Sequence, residues 1–221
     1  MSQPVKIDFV SDIACPWCAV GLRSLEEAIG RVEGLQVELH FQPFELNPQM
    51  PAEGEDAVEH LTRKYGMSAE QAAQNGEAIR QRGAALGFEF RMDRRRHIYN
   101  TFDAHRLLHW ADTQGEGRQL ALKHALLRAY FTEGQDVSSA EVLAQVVDEA
   151  GLDGARARQI LAGDEYAAEV RQQQAFYSGQ GISAVPSVIF NDRHLIQGGQ
   201  PVELFEQALR QLSGIDAPAP A

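Results

Sequence analysis

Cysteine is almost missing from this chain: of 221 residues, only Cys15 and Cys18 carry a thiol. Two cysteines three positions apart exclude the disulfide framework that staples small secreted domains. A bond between them would close a very short loop and remove little entropy from the unfolded chain. Long apolar runs are missing too, so no stretch reaches the length that spans a bilayer. Met1 to Val10 shows no basic region followed by an apolar run and a small-residue cleavage site. Positive charge is short, with 20 Lys and Arg against 31 Asp and Glu and a net charge of −11. That balance argues against nucleic acid or an anionic membrane as the principal partner. These absences together predict a cytoplasmic protein, and in that reducing compartment paired thiols are catalytic rather than structural. What is present is a hydrophobic fraction of 44%, enough for the core of one large domain or of a domain with a second inserted in it.

The order of elements reads strand, helix, strand, then a long helical block, then two strands and a helix. Val5 to Val10 is rich in β-branched and aromatic residues and ends at Ser11-Asp12, a turn and cap signal. From Pro16 the pattern turns helical, with Cys18, Leu22, Leu25 and Ile29 on one stripe. Gln36 to Gln42 alternates as a second strand, and Pro43 and Pro48 bracket a rigid loop where the chain can leave the sheet. Helices are expected near 55–65, 68–86, 100–113, 117–131, 138–150, 153–161 and 164–178, each bounded by Gly or by Ser/Asp caps. Ser187 to Phe190 and His194 to Ile196 form a hairpin around Asn191-Asp192. A last helix runs from Pro201 to Leu212, and the proline-rich end from Asp216 reads as a frayed tail. The expected fold class is α/β, with residues 1–48 and 179–221 as one unit and residues 49–178 as an inserted helical domain.

Cys15-Pro16-Trp17-Cys18 is the chemical feature. One thiolate can attack a substrate disulfide and its neighbour can resolve the mixed intermediate. The element order puts Cys15 at the tip of a helix, where unpaired N–H groups and the positive end of the dipole favour a thiolate. Cys18 lies one turn deeper in the apolar stripe. That asymmetry predicts Cys15 as attacking nucleophile and Cys18 as resolving thiol. A zinc site would need four Cys or His ligands, and His105 and His109, four apart on one helical face, make a Cys₂His₂ set conceivable. After a strand and before a helix, the C-x-x-C spacing reads as redox instead, with no metal. Asp8 alternates to the same side of its strand as Lys6 and Val10. If it points under the helix, burial would raise its pKa and let it act as the base for Cys18. A solvated or salt-bridged aspartate is the plainer reading of the same spacing. Val185-Pro186 opens the third strand, and both isomers of its peptide bond fit the sequence.

The strand leading into C-P-W-C, the helical insertion and Val185-Pro186 before a hairpin resemble the DsbA family of thioredoxin-fold oxidoreductases, and more narrowly its FrnE-like branch. The runs Ser11 to Gly21, Phe44 to Pro48, Asn100 to Leu107, Ala129 to Gly134, Gly181 to Pro186 and Gly198 to Pro201 carry the resemblance, over about residues 5–212. It implies a thioredoxin-like fold with a large all-helical insertion between its βαβ and ββα halves. It implies a cis Val185–Pro186 bond packed against the cysteines, where Val185 and Pro186, with Pro16 and Trp17, meet a bound substrate. It places Asp8 where related proteins carry a buried acid, and Asn100 and His105 on the insertion's side of the cleft. The activity it implies is thiol–disulfide exchange on disulfide-containing proteins or small thiols, with no required cofactor and glutathione as a possible reductant. A neighbouring branch performs glutathione-dependent isomerisation or transfer on small molecules, typically with serine at the position of Cys15. A third class, a client-binding protein or chaperone, would use the cleft without turnover. The basic run Arg91 to His97 reads as a solvated loop or helix start able to attract an anion.

Overall fold

The computed structural model describes residues 4–51 and 53–215. The expected tail from Asp216 onward lies outside the described residues. Strand β1 (Val5–Ser11) leads into helix α1 (Pro16–Arg31) and then strand β2 (Val37–Pro43). The helical block follows: α2 (Ala57–Tyr65), α3 (Ala69–Ala85), α4 (Phe102–Asp112), α5 (Arg118–Arg128), α6 (Ala140–Glu149), α7 (Gly154–Leu161) and α8 (Ala167–Gly179). Two further strands of the main sheet and a closing helix α9 (Val202–Ser213) complete the described chain.

The block also holds two features too short to leave a periodic signal. Strands β3 (Glu55–Asp56) and β4 (His97–Ile98) pair as a two-residue antiparallel bridge. The helix expected over 117–131 is in fact α5 followed by a π-helical turn, Ala129–Glu133, closed by Gly134 at φ 72°. The basic run differs from its expected solvation at one residue: the Arg95 guanidinium lies over the rings of Tyr130 and Phe131, 5.1 and 5.3 Å from their centroids.

The main sheet has the order β2-β1-β5-β6, where β5 is Ser187–Phe190 and β6 is His194–Gln197. Strand β1 runs parallel to β2, with Val5 opposite Val37, and antiparallel to β5, with Ile7 opposite Phe190. The three-residue β5–β6 loop, Asn191 to Arg193, turns because Asn191 and Asp192 both take positive φ, 51° and 56°, which asparagine and aspartate tolerate in hairpin turns. Asn191 then pins the turn to β1 by accepting from Lys6 N through Oδ1 at 3.0 Å and donating its own N–H to Lys6 O at 2.9 Å.

The chain thus has a thioredoxin-like fold of mixed α/β content, with the helical block between its two halves. One buried apolar cluster runs from Ile7, Phe9, Leu22 and Leu25 into Leu107, Leu126 and Val146 of the helical block. The block also closes part of the sheet's edge. The Gln119 amide of α5 accepts from Phe41 N at 2.8 Å and donates to Phe41 O at 3.1 Å, supplying at that point the bonds a further strand would have made.

Candidate active site

Cys15 is the N-cap of α1, with extended backbone at φ −91° and ψ 110°, and Pro16 occupies the first turn. Proline suits that position because its missing N–H would have had no intrahelical partner. The Cys15 carbonyl accepts the first helical bond, from Cys18 N at 3.1 Å. No side chain caps this helix start and its first turn holds no acidic residue. The positive end of the helix therefore faces the Cys15 sulfur without competition from a nearby carboxylate on α1.

Both cysteines are free thiols. Cys15 is 4% exposed and Cys18 fully buried. Burial, with the neighbouring Cys15 thiol, pushes the Cys18 thiol well above its ordinary pKa. The pair is therefore unequal: one sulfur borders the surface, the other sits in the core.

Across from Cys15 the Val185–Pro186 bond is cis, and the Cys15 thiol donates to the Val185 carbonyl at 3.6 Å. Helix α1 comes close to Pro186 at Gly21. The loop after β6 is tied to the same place by Gly198 N donating to Pro186 O at 2.8 Å. Its next residue, Gly199, lies so near Trp17 that a Cβ there would stand 3.1 Å from the indole ring. This juxtaposition leaves a cleft of about 530 Å³ bordered by Trp17, Val185, Gln200 and Arg82 of α3. Trp17 is 40% exposed, while Pro16 and Val185 are half-buried. Cys15, Cys18, Pro16, Trp17, Val185 and Pro186 are thus brought together from segments 170 residues apart.

Behind the pair lies Asp12, 1% exposed. Its Oδ1 accepts from Ala14 N at 3.2 Å and from the Thr101 hydroxyl at 2.7 Å, and Oδ2 accepts from Leu46 N at 2.7 Å. Burial alone would raise its pKa, but His105 at 3.5 Å, with Leu46 N–H and the Thr101 hydroxyl, holds the carboxyl below its usual range. His105 is buried behind the cleft, where its Nε2 also meets the Phe44 carbonyl at 3.0 Å. Asn100 lies half-buried at the start of α4, accepting from Phe102 N at 2.9 Å and donating to Met50 O at 3.5 Å. His109 pairs instead with Gln173 at 3.3 Å. Among the described residues no cluster of three or more His, Cys, Asp or Glu is arranged to hold a metal.

Asp8 is buried, but on the face of the sheet opposite Cys18. Strand alternation sends Phe9 and Ser11 toward α1 and turns Asp8 the other way. There it accepts from Gln42 Nε2 at 2.6 Å and pairs with Lys6 Nζ at 3.2 Å. Burial and the Asp8 carboxylate together raise the pKa of the Tyr177 hydroxyl on this face. The condition under which Asp8 could serve Cys18 as a base is therefore not met.

Besides Asp12, an ionisable group buried on the cysteine side of the sheet is Lys123 of α5. It is fully buried, and its Nζ donates to the Ser11 hydroxyl at 2.9 Å and stands 5.5 Å from the Phe41 ring centroid. Burial pushes its pKa down to about 8, against the opposing influence of Cys18, Asp12 and Cys15. A signal for it existed in the sequence: Gln119, Leu122, Lys123 and Leu126 fall on one helical stripe, and all four are buried.

Residues 6–210 match the family model for the DSBA-like thioredoxin domain. The chain belongs to this family. A protein of Bacillus subtilis (strain 168), YwbO, is 30% identical over 207 residues, 93% of this chain and 96% of its own length. Among solved structures, a probable DsbA oxidoreductase from Streptomyces coelicolor superposes with a TM-score of 0.88 at 36% identity, covering 98% of this chain and 93% of its own. The cytosolic disulfide reductase DsbM from Pseudomonas aeruginosa with GSH shares the fold at a TM-score of 0.63 and 18% identity, covering 94% of this chain and 98% of its own. As a member of the DSBA-like family, the chain falls in the thiol-oxidoreductase class. No helix among its described residues is long and apolar enough to cross a membrane.

Proposed function

We propose that this protein is a thiol–disulfide oxidoreductase acting on disulfide-containing proteins or small thiols, in which Cys15 attacks and Cys18 resolves. The observation that carries this reading is the inequality of the two sulfurs: Cys15 sits at a helix tip facing the Val185 carbonyl, and Cys18 is buried with its pKa raised.

The exchange runs in two steps. The Cys15 thiolate attacks one sulfur of a substrate disulfide, forming a mixed disulfide and releasing the other sulfur as a thiolate. Cys18 loses its proton and attacks the Cys15 sulfur, which closes the Cys15–Cys18 bond and releases the second substrate thiolate. The substrate gains two electrons and the protein loses two. An external thiol, with glutathione the candidate, returns the pair to the dithiol, and no resident cofactor is needed. The backbone at Val185 and Pro186, with Pro16 and Trp17, supports the substrate chain across the cleft. A reducing cytoplasm fits this direction of flow.

The test is Cys15→Ser against wild type in insulin reduction with glutathione. Loss of turnover supports the mechanism, and unchanged turnover sinks it. A protein that only binds clients would hold them equally well oxidised, reduced or alkylated.

The cleft beside Trp17 favours a second reading. Its volume of about 530 Å³ is that of a small-molecule pocket, and Arg82 gives it a cation for a carboxylate. Glutathione bound there would make the protein a glutathione-dependent isomerase or transferase. That enzyme would tolerate Cys18→Ala, whereas the exchange mechanism would stall as a mixed disulfide.

A further inference from the structure

Closing the Cys15–Cys18 bond requires the Cys18 proton to leave a fully buried site. In a buried site a thiol with a raised pKa attacks slowly unless a neighbouring group takes its proton. Asp8, the carboxylate expected for the task, is turned to the other face of the sheet. Among the described residues Lys123 is the one amine buried on the cysteine side. It comes not from the sheet-and-helix halves but from the helical block, and reaches the end of β1 across 112 residues of sequence to bond Ser11.

We propose that Lys123 accepts the proton Cys18 gives up as the disulfide closes and takes a proton up again when the disulfide is reduced, so that the redox couple of this chain is proton-linked through a buried amine. The proposal rests on the exchange reading above.

The surroundings of the amine carry it. An ammonium has three N–H donors, and among the described residues the Lys123 amine donates to Ser11 Oγ alone. Fully buried and set against the Phe41 ring, the charged form has lost the water that would solvate it. The charged and titratable groups whose charge reaches it are Cys18 and Cys15 at the start of α1 and Asp12 from the β1–α1 loop. Strand β2 presents only the Phe41 ring. His105 of α4 and Tyr130 of the π-helical turn lie beyond Asp12, bonded to the carbonyls of Phe44 and His97. On α5 itself His124 turns away to Glu26 at 2.7 Å.

Of the three facing groups, Asp12 stays anionic throughout and only the thiols change with redox state. A thiolate next to the amine favours the ammonium. In the mixed disulfide, Cys15 is uncharged and Cys18 is still a thiol. Burial then shifts Lys123 toward the neutral amine, the form that can take a proton. Cys18 passes its proton to Lys123 and attacks the Cys15 sulfur. The Cys15–Cys18 bond forms, the Cys15–substrate bond breaks, and the substrate departs as a thiolate. With both thiols consumed, the ammonium has lost its favourable neighbours and releases the proton to solvent. Reduction of the pair brings it back. Lys123 acts through Cys18 and touches no substrate.

Ellman's disulfide separates the two sulfurs' work. Cys15 attack releases one nitrothiobenzoate, and Cys18 resolution releases a second. Lys123→Met should slow the second release at pH 7 by about 100-fold. Its rate should then rise roughly tenfold per pH unit as an unassisted thiol ionises, while the first release changes by less than about tenfold. An unchanged second release with an unchanged pH profile in the folded variant overturns the proposal. In wild-type protein, carbon-labelled lysine followed by NMR gives a reading independent of the variant's fold. The Lys123 titration midpoint should lie at least about one pH unit higher in the dithiol than in the disulfide form, because only the dithiol places ionisable sulfur beside it. Equal midpoints overturn the proposal as well. No release from Cys15 in wild type would instead sink the exchange reading itself.

Discussion

Gly21 and Pro186 pack so closely that a Cβ on the glycine would stand 3.1 Å from the proline Cγ. This contact sets how near α1, and with it Cys15, approaches the Val185 carbonyl. Alanine at position 21 would gain about 1 kcal/mol of helix propensity and lose part of it to the tight fit. Valine adds two methyls where there is no room, and Gly21→Val is expected to cost about 1–3 kcal/mol. Its exchange activity should fall with stability held equal by temperature. Thermal melts with insulin-reduction rates check this, and a fully active, fully stable Gly21→Val protein would show the contact to be slack.

Asp12 makes a pH-dependent contribution to stability whose sign follows from its lowered pKa. The unfolded chain titrates this carboxyl near 3.8, the folded chain below it. The stabilisation is therefore complete above the unfolded value and is lost as pH falls through the folded one. Asp12→Asn leaves donors from Ala14, Thr101 and Leu46 competing for one carbonyl oxygen. It should cost about 2–4 kcal/mol at neutral pH. Urea unfolding at pH 7 and at pH 3 should show the difference between variant and wild type shrinking at the lower pH.

For Lys123 the sign is opposite. Burial takes its pKa from the ordinary 10.5 down to about 8 in the fold. Between those values the unfolded state holds a proton the folded state has released, so wild-type stability rises with pH across that window. Below it, the burial cost of the ammonium is carried in full. Lys123→Met should therefore be more stable than wild type at pH 7, by up to about 3 kcal/mol. The advantage should fade toward pH 10.5. A variant less stable than wild type at pH 7 would contradict this account of the site.

Arg106 is 4% exposed and gathers the end of α7: its Nε donates to Glu165 O at 3.0 Å, and one Nη to the carbonyls of Ile160 at 2.6 Å and Gly163 at 2.5 Å. The other Nη holds Asp103 at 2.8 Å. Lysine keeps the charge but cannot reach four acceptors in a planar fork. Arg106→Lys should cost about 2–3 kcal/mol and lower the melting temperature by roughly 5–10 °C. Exchange activity per folded molecule should stay near wild type, because the residue lies away from the cysteines.

Local chemistry was readable from sequence and long-range polar pairing was not. The N-cap place of Cys15, the Asn191-Asp192 hairpin and the stop at Gly134 each follow from residues within a turn of one another. The order of four strands around a helical block, with the family motifs, then pointed to the fold. The partners of Asp12 and Lys123 lie 89 and 112 residues away, at Thr101 and Ser11. Periodicity marks such residues as facing inward without saying what they meet. Asp8 shows the same limit: alternation gave its side of the strand, but which side carried α1 came only with the sheet's packing.

The bond between Lys123 and Ser11 makes the helical block part of the reaction centre rather than an appendage to it. One helical turn is about 5.4 Å of axial travel. A slide of α5 by that amount would carry the amine away from the sulfurs while leaving Cys15-Pro16-Trp17-Cys18 untouched. Two chains with the same four-residue motif can therefore differ in proton handling solely through how their inserted helices are seated. In this fold, tuning of the redox chemistry is open to changes far from the cysteines in sequence.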